Sequence, residues 1–282
     1  MAGSELKTRV ITGVIFGVVL IGGILLSEYL LTGIALFILI WGLKELRSIV
    51  RVNEIHLPFF TLLAGNIIIF ASVLGFTLAH VSLGIQKSDL VPSFITAVLL
   101  VFVIFSTELF RAKTKALESI SITIFSFFYL ALPSGLLVSA SVTDSGNYEP
   151  WRILFFFFMM WASDTGAYFT GRFFGKHKLF ERLSPKKTIE GFLGGVITAM
   201  LTGFAASLYF EGSSTLFWVL TGAIMSITGS LGDLFESMIK RQFEVKDSGT
   251  LLPGHGGILD RFDSTFLSIP IYFLLLKFLL FP

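Results

Sequence analysis

The chain has 282 residues, of which 54% are hydrophobic and only 14% are charged, and its mean hydropathy is +0.84. Soluble domains carry about 25% charged residues, so this composition excludes a soluble enzyme, a disordered regulator and a collagen-like fibre. The net charge of +2 gives no support for nucleic-acid binding, and the absence of cysteine excludes disulfides and thiolate metal sites. The composition predicts an all-α polytopic membrane protein.

Apolar stretches of membrane-crossing length recur along the chain. A helix rises about 1.5 Å per residue, so about 20 apolar residues cross the hydrocarbon core. By this criterion we predict nine transmembrane helices, at residues 10–27, 28–43, 57–82, 91–110, 118–142, 151–174, 188–210, 214–239 and 264–282. The first stretch is long for a signal peptide and lacks a good cleavage site, so we interpret it as a membrane helix.

The lysines and arginines predict which helix ends face the cytoplasm, because cytoplasmic loops of membrane proteins are enriched in both. With the N-terminus in the cytoplasm, the inner segments hold nearly all of the 21 basic residues. The outer loops then hold only Lys87 and Arg152, and Lys277 falls within the last predicted helix. An odd number of helices places the C-terminus outside.

Polar residues divide the chain into two regions. In residues 1–140 they are mostly charges of short loops, which is typical of a membrane scaffold that faces lipid and offers dimer contacts. In residues 141–282, acidic, basic and glycine residues concentrate at the predicted cytoplasmic helix ends and in the loops 172–188 and 240–263. We therefore expect the functional site in the second region.

The segment around Asp233 places polar groups along one face of a predicted helix. Residues separated by steps of three and four share a helix face, and these are Ser226, Ser230, Asp233, Ser237 and Lys240. A carboxylate near the end of a membrane helix is costly unless it is paired, hydrated or bound to a cation. An interhelical salt bridge would satisfy Asp233, but further carboxylates follow nearby, which favours a functional site.

A glycine-rich polar loop follows this helix. Its four glycines and one proline indicate tight backbone that can approach a ligand closely. Asp260 and Asp263 would face the same way if the last helix begins there, and with Asp233 they offer the oxygen ligands that Mg²⁺ prefers. Cations flank these carboxylates, namely Lys240, Arg241, Lys246 and Arg261. This mixture is typical of a metal–polyphosphate site, whereas a merely solvated loop would not need so many glycines.

A second polar cluster begins at Asp164, inside a predicted apolar helix. An ionisable group there is a functional candidate by default, although an ion pair with a neighbouring helix would also explain it. The pair Ser184-Pro185 predicts a helix start, with serine as the N-cap and proline as the first helical residue. Lys186 and Lys187 would then lie in the first turn, beside free amides that favour a phosphate. The alternative is that both lysines only anchor the loop on the cytoplasmic side.

Together the two clusters resemble the bacterial phosphatidate cytidylyltransferases, also called CDP-diglyceride synthases. The family signature has the same order and spacing as Ser237-x-x-Lys240-Arg241, Lys246-Asp247, Pro253-Gly254-His255-Gly256-Gly257 and Asp260-Arg261-x-Asp263. Upstream elements are similar as well, namely Asp164-Thr-Gly-Ala-Tyr, Gly171-Arg172 and Ser184-Pro185-Lys186-Lys187-Thr188-x-Glu190-Gly191. The specific resemblance covers about residues 150–282, and the N-terminal half agrees only in hydropathy.

The resemblance implies that CTP and phosphatidic acid react to give CDP-diacylglycerol and pyrophosphate. It implies Mg²⁺, with room for a second cation of unknown identity, and a homodimer in the bacterial inner membrane whose active site faces the cytoplasm. We expect the metal at Asp233, Asp260 and Asp263, and catalytic or phosphate-binding roles for Lys240, Arg241, Lys246, Asp247, His255 and Arg261. Substrate contacts are expected at Asp164, Ser184, Lys186, Lys187, Thr188, Ser237, Gly256 and Gly257.

Two other functions are compatible with a polytopic protein of this composition. A CTP-dependent lipid kinase would use CTP as a phosphoryl donor rather than a nucleotidyl donor. An ion-coupled transporter would tend to show internal repeats and polar sites at the membrane midplane. Here no repeat is visible and the polar groups gather at one predicted membrane face, which argues against transport.

Overall fold

The computed structural model describes residues 2–83, 90–111, 114–254 and 256–277. Its α-helices are α1 Ala2–Leu26, α2 Glu28–Arg51, α3 Phe59–Leu83, α4 Leu90–Arg111, α5 Ala116–Ser126, α6 Leu132–Ser139, α7 Pro150–Phe174, α8 Ile189–Tyr209, α9 Thr215–Gln242 and α10 Leu259–Leu275. A π-helical turn, Phe127–Ala131, joins α5 to α6 without a break. An antiparallel hairpin, β1 Lys178–Phe180 and β2 Ser184–Thr188, lies between α7 and α8.

Each predicted transmembrane stretch overlaps a helix of the structure. The agreement is expected, because the apolar runs used for the prediction are also the segments that form helices. The largest differences are at α1, which begins at Ala2 rather than at 10, and at α2, which continues to Arg51 rather than ending at 43. Helix α10 begins at Leu259 rather than at 264. Within the described ranges, four helices are long and apolar enough to cross a membrane, namely Glu28–Arg51, Ala116–Ser139, Ile189–Tyr209 and Thr215–Gln242. That all nine stretches cross, with the N-terminus in the cytoplasm, stays a prediction.

The chain forms two compact units. The first consists of Met1–Tyr148 and Asp247–Leu259, and the second of Glu149–Lys246 and Asp260–Pro282. Nothing in the sequence indicated that the segment Asp247–Leu259 belongs with the N-terminal helices. The division at about residue 140, inferred from composition, stays a prediction.

The first unit is built around one buried face of α2. Apolar residues spaced by three or four positions form this face, including Leu31, Ala35, Leu39, Leu43 and Leu46. A buried side-chain hydrogen bond ties α3 to α5, because Asn66 Nδ2 donates to Ser126 Oγ at 2.8 Å. The buried face of α2 also carries one acidic residue, Glu45.

The second unit is held together by close contacts between α7, α8 and α9. A Cβ atom on Gly166 would lie 2.6 Å from Thr198 Cγ2, and one on Gly222 would lie 2.7 Å from the carbonyl carbon of Ala199. Small residues allow membrane helices to approach this closely, and van der Waals packing then stabilises the pair. The close approach lets the three helices line a common cavity.

Candidate active site

The cavity in the second unit has a volume of about 400 Å³. Helix α7 contributes one wall, and its Ser163 Oγ lies 2.7 Å from Ser226 Oγ of α9. The polar side chains that line the cavity are Ser163, Asp164, Tyr168, Arg172, Lys186, Lys187, Thr188 and Ser230. The structure thus brings together four residues predicted to contact substrate, namely Asp164, Lys186, Lys187 and Thr188.

The hairpin presents the two lysines to the cavity, and the predicted helix start at Ser184-Pro185 is wrong. Ser184–Thr188 forms strand β2, in which Thr188 pairs with Lys178 and Ser184 with Phe180. Helix α8 begins at Ile189, because the Thr188 side chain accepts a hydrogen bond from the Gly191 amide and caps the helix. Lys186 and Lys187 therefore lie before the helix rather than in its first turn.

Glu190, in the first turn of α8, holds the base of the hairpin. Its carboxylate accepts hydrogen bonds from the backbone amides of Lys176, at 3.0 Å, and His177, at 3.2 Å. The same carboxylate lies 2.6 Å from His177 Nδ1. These contacts hold the chain where it leaves α7 against the start of α8, so the two ends of the hairpin that carries Lys187 are tied together.

Three carboxylates converge between α9 and α10. Oxygen atoms of Asp233, Glu236 and Asp263 all lie within 4.8 Å of one another. The two helices approach closely here, since a Cβ on Gly232 would lie 2.7 Å from the Asp263 carbonyl oxygen. Such a group of hard oxygen atoms is the ligand type that Mg²⁺ prefers.

Two lysines balance this negative charge. Lys187 of the hairpin forms an ion pair with Asp233, so it both lines the cavity and contacts the carboxylate cluster. Lys240 lies between two carboxylates, 2.5 Å from Glu236 Oε2 and 2.8 Å from Asp260 Oδ1. Asp260 is thus paired with Lys240, whereas Asp233 and Asp263 belong to the three-carboxylate cluster.

Comparison with known proteins identifies the family. A profile described as the cytidylyltransferase family matches residues 7–279. The chain belongs to this family. Proteins named phosphatidate cytidylyltransferase from Staphylococcus haemolyticus (strain JCSC1435) and Staphylococcus aureus (strain COL) are 38% and 36% identical to this chain, over 96% of its length and 99% of theirs. The family resemblance seen in residues 150–282 is confirmed, and the match extends through the N-terminal half.

The other predicted site residues differ in their exposure to solvent. Arg241, Lys246, Asp247 and Arg261 are exposed, and Ser237 and Gly256 are partly buried. Gly257 is buried in the first unit, Ser184 is partly buried at the start of β2, and His255 lies outside the described residues. Their roles stay predictions.

Two acidic residues were not among the predicted site residues. Glu236 follows Asp233 by three positions and precedes Lys240 by four, so helical spacing alone places it beside both. That signal could have identified Glu236. Glu45 contacts residues more than 200 positions away, and the sequence contains no local signal for such a contact.

Proposed function

We propose that this protein transfers the cytidylyl group of CTP to phosphatidic acid and releases pyrophosphate. One observation carries the proposal: Lys187 lines a cavity of about 400 Å³ and pairs with Asp233 of a three-carboxylate cluster. Cations for phosphates and carboxylates for a metal ion are thus adjacent in one unit. The names of the staphylococcal relatives support the choice of phosphatidic acid as the acceptor.

In the proposed reaction, an oxygen of the lipid phosphate attacks the α-phosphorus of CTP. A new P–O bond forms as the bond from the α-phosphorus to its bridging oxygen breaks, and pyrophosphate leaves with that oxygen. A phosphate monoester has a second pKa of about 6, so the nucleophile is largely deprotonated near neutral pH. The protein therefore needs no general base, and its residues act by positioning and by neutralising charge.

The cavity residues have distinct tasks in this proposal. Lys186, Lys187 and Arg172 supply positive charge to the substrate phosphates, and the hairpin keeps the two lysines at fixed positions. Asp164 faces the same cavity and orients one of these cations. Two anionic substrates would otherwise repel each other, so holding them together against fixed cations lowers the barrier to attack.

The carboxylate cluster fits a magnesium ion. All three residues offer hard oxygen ligands, and Glu236 Oε1 is buried with no hydrogen-bond partner among the described residues. We propose that Asp233, Glu236 and Asp263 hold the ion, which would supply charge neutralisation at the phosphates. Asp260 remains a predicted ligand, but its ion pair with Lys240 would have to open for it to bind the metal.

The proposed setting is the bacterial cell membrane. Nine membrane-crossing helices with a cytoplasmic N-terminus would place the hairpin and the end of α9 at the cytoplasmic surface, where soluble CTP meets a lipid phosphate. The distribution of lysine and arginine supports this orientation, and the relatives are bacterial. The homodimer is proposed from the family resemblance.

The test is a product assay with purified protein in lipid–detergent micelles. With CTP, phosphatidic acid and Mg²⁺, we expect pyrophosphate and CDP-diacylglycerol in equal amounts, and no product when the lipid or the metal is left out. Asp263→Asn should abolish product formation, whereas Asp144→Asn, at an exposed position outside the site, should leave it unchanged. Release of CDP in place of pyrophosphate would identify a lipid kinase instead.

A further inference from the structure

Glu45 is a buried acidic residue that the proposed mechanism does not use. It lies on the apolar face of α2, and only 5% of the residue is exposed. A buried carboxylate is costly unless donors surround it. Here the donors come from a distant part of the chain: the Ile258 and Leu259 amides donate to Glu45 Oε1 and Oε2, each at 2.9 Å, and the Ser248 hydroxyl donates to Oε2 at 3.2 Å.

The two amides are those at the start of α10. The first amides of a helix have no partner within the helix and carry the positive end of its dipole, so an acidic group there is stabilising. Leu259 is the first residue of α10. Glu45 therefore performs the task of an N-cap for α10, although it belongs to a different helix.

The loop before α10 also packs against the Glu45 side chain. A Cβ on Gly249 would lie 2.6 Å from Glu45 Oε1, and a Cβ on Gly257 would lie 2.6 Å from Glu45 Cδ. A side chain at either position would force the carboxylate or the loop to shift. Two of the four loop glycines are thus explained by the need to surround Glu45.

We propose that Glu45 is a positioning residue for catalysis, which fixes the start of α10 through the segment Asp247–Leu259. Asp260 follows Leu259 directly in the chain, and Asp263 lies one helical turn later. A loosened helix start would shift the Asp263 carboxylate away from the position that metal binding needs. The inference rests on the metal-ligand role proposed above for Asp263.

The first test is Glu45→Gln, which keeps the size of the side chain. Glutamine has one acceptor oxygen and one amide donor, so one of the two backbone amides would face a donor instead of an acceptor. We expect kcat to fall by at least about tenfold and the half-saturating Mg²⁺ concentration to rise, as for other residues that orient metal ligands, while the KM for CTP stays close to the wild-type value. The control is Glu54→Gln, an exposed position just beyond α2.

Hydrogen exchange of the Ile258 and Leu259 amides gives a readout that does not depend on activity. We expect faster exchange at these two amides in Glu45→Gln, and unchanged exchange at the amides of α2, the helix that carries Glu45. If Glu45→Gln does not accumulate in membranes, Ser248→Ala can be tested in its place, because it removes one of the donors to Glu45. We expect this variant also to show a lower kcat and faster exchange at the two amides. A kcat equal to that of Glu54→Gln, or unchanged exchange, would overturn the proposal. An active Asp263→Asn variant would instead refute the metal assignment.

Discussion

Lys187 is shared between the cavity and the carboxylate cluster. Its ion pair with Asp233 is open to solvent, since the two side chains are 29% and 32% exposed. Ion pairs that water reaches contribute only about 0–1 kcal/mol to stability. A substrate phosphate can therefore replace Asp233 as the partner of the Lys187 ammonium group, because breaking the ion pair costs little free energy. Asp233 would then be available to bind a metal ion.

We expect Lys187→Gln to lower kcat/KM for CTP by about 10- to 150-fold, because a hydrogen bond to a charged group is worth about 1.5–3 kcal/mol. The measurement is the initial rate of pyrophosphate release over a range of CTP concentrations. Lys176→Gln is the matched control, since Lys176 is exposed and does not line the cavity. Equal kcat/KM values for the two variants would contradict a phosphate-binding role for Lys187.

At the scale of the element, the contact between α8 and α9 depends on the absence of side chains. A Cβ on Gly222 would lie 2.7 Å from the Ala199 carbonyl carbon and 3.1 Å from Met200 Cα. These neighbours are backbone atoms, which cannot turn aside as a side chain can. The two helices contribute Gly191 and Ser230 to the cavity, so their separation also sets the width of the site.

Gly222→Ala should therefore force α8 and α9 apart and lower the free energy of unfolding by about 1–3 kcal/mol. Gly33→Ala is a control for which we expect the opposite effect on stability. Among the described residues, no atom beyond its chain neighbours and the nearby backbone of its own helix lies within 4 Å of a Cβ placed there, and alanine is favoured over glycine within a helix by about 0.5–1 kcal/mol. The measurement is the midpoint temperature of thermal unfolding of both variants in the same detergent. A midpoint for Gly222→Ala at or above that of Gly33→Ala would show that the helices are not in backbone contact.

The helices could be predicted from the sequence because each depends on a continuous apolar run, and so could the face of α9 that bears Asp233 and Lys240. The hairpin could not. Ser184-Pro185 has the local form of a helix start, yet the Thr188 hydroxyl caps α8 and the preceding residues pair with Lys178–Phe180. The cap that Glu45 gives to α10 is a still longer-range contact, and only the folded chain brings its partners together.

At the scale of the whole molecule, the orientation in the membrane depends on α7. Helices α8 and α9 are long and apolar enough to cross a membrane. In the described part of the chain, α7 is not one of the helices that are. Helix α7 is 25 residues long, but it carries Arg152, Asp164 and Arg172. If the cavity binds a cytosolic nucleotide and α7 crosses the bilayer, Asp164 and Arg172 belong to its cytoplasmic half and Arg152 to its outer end.

The absence of cysteine makes this directly testable, because one introduced cysteine is the sole thiol of the chain. Asp144 and Glu244 are exposed; in the sequence, Asp144 precedes α7 and Glu244 follows α9. Three crossings place them on opposite membrane faces, whereas two place them on the same face. We expect a membrane-impermeant maleimide to label Asp144→Cys in intact cells and Glu244→Cys only after the membrane is permeabilised, with both variants still active. Labelling of both in intact cells, or of neither, would mean that α7 does not cross and that the nine-helix arrangement is wrong.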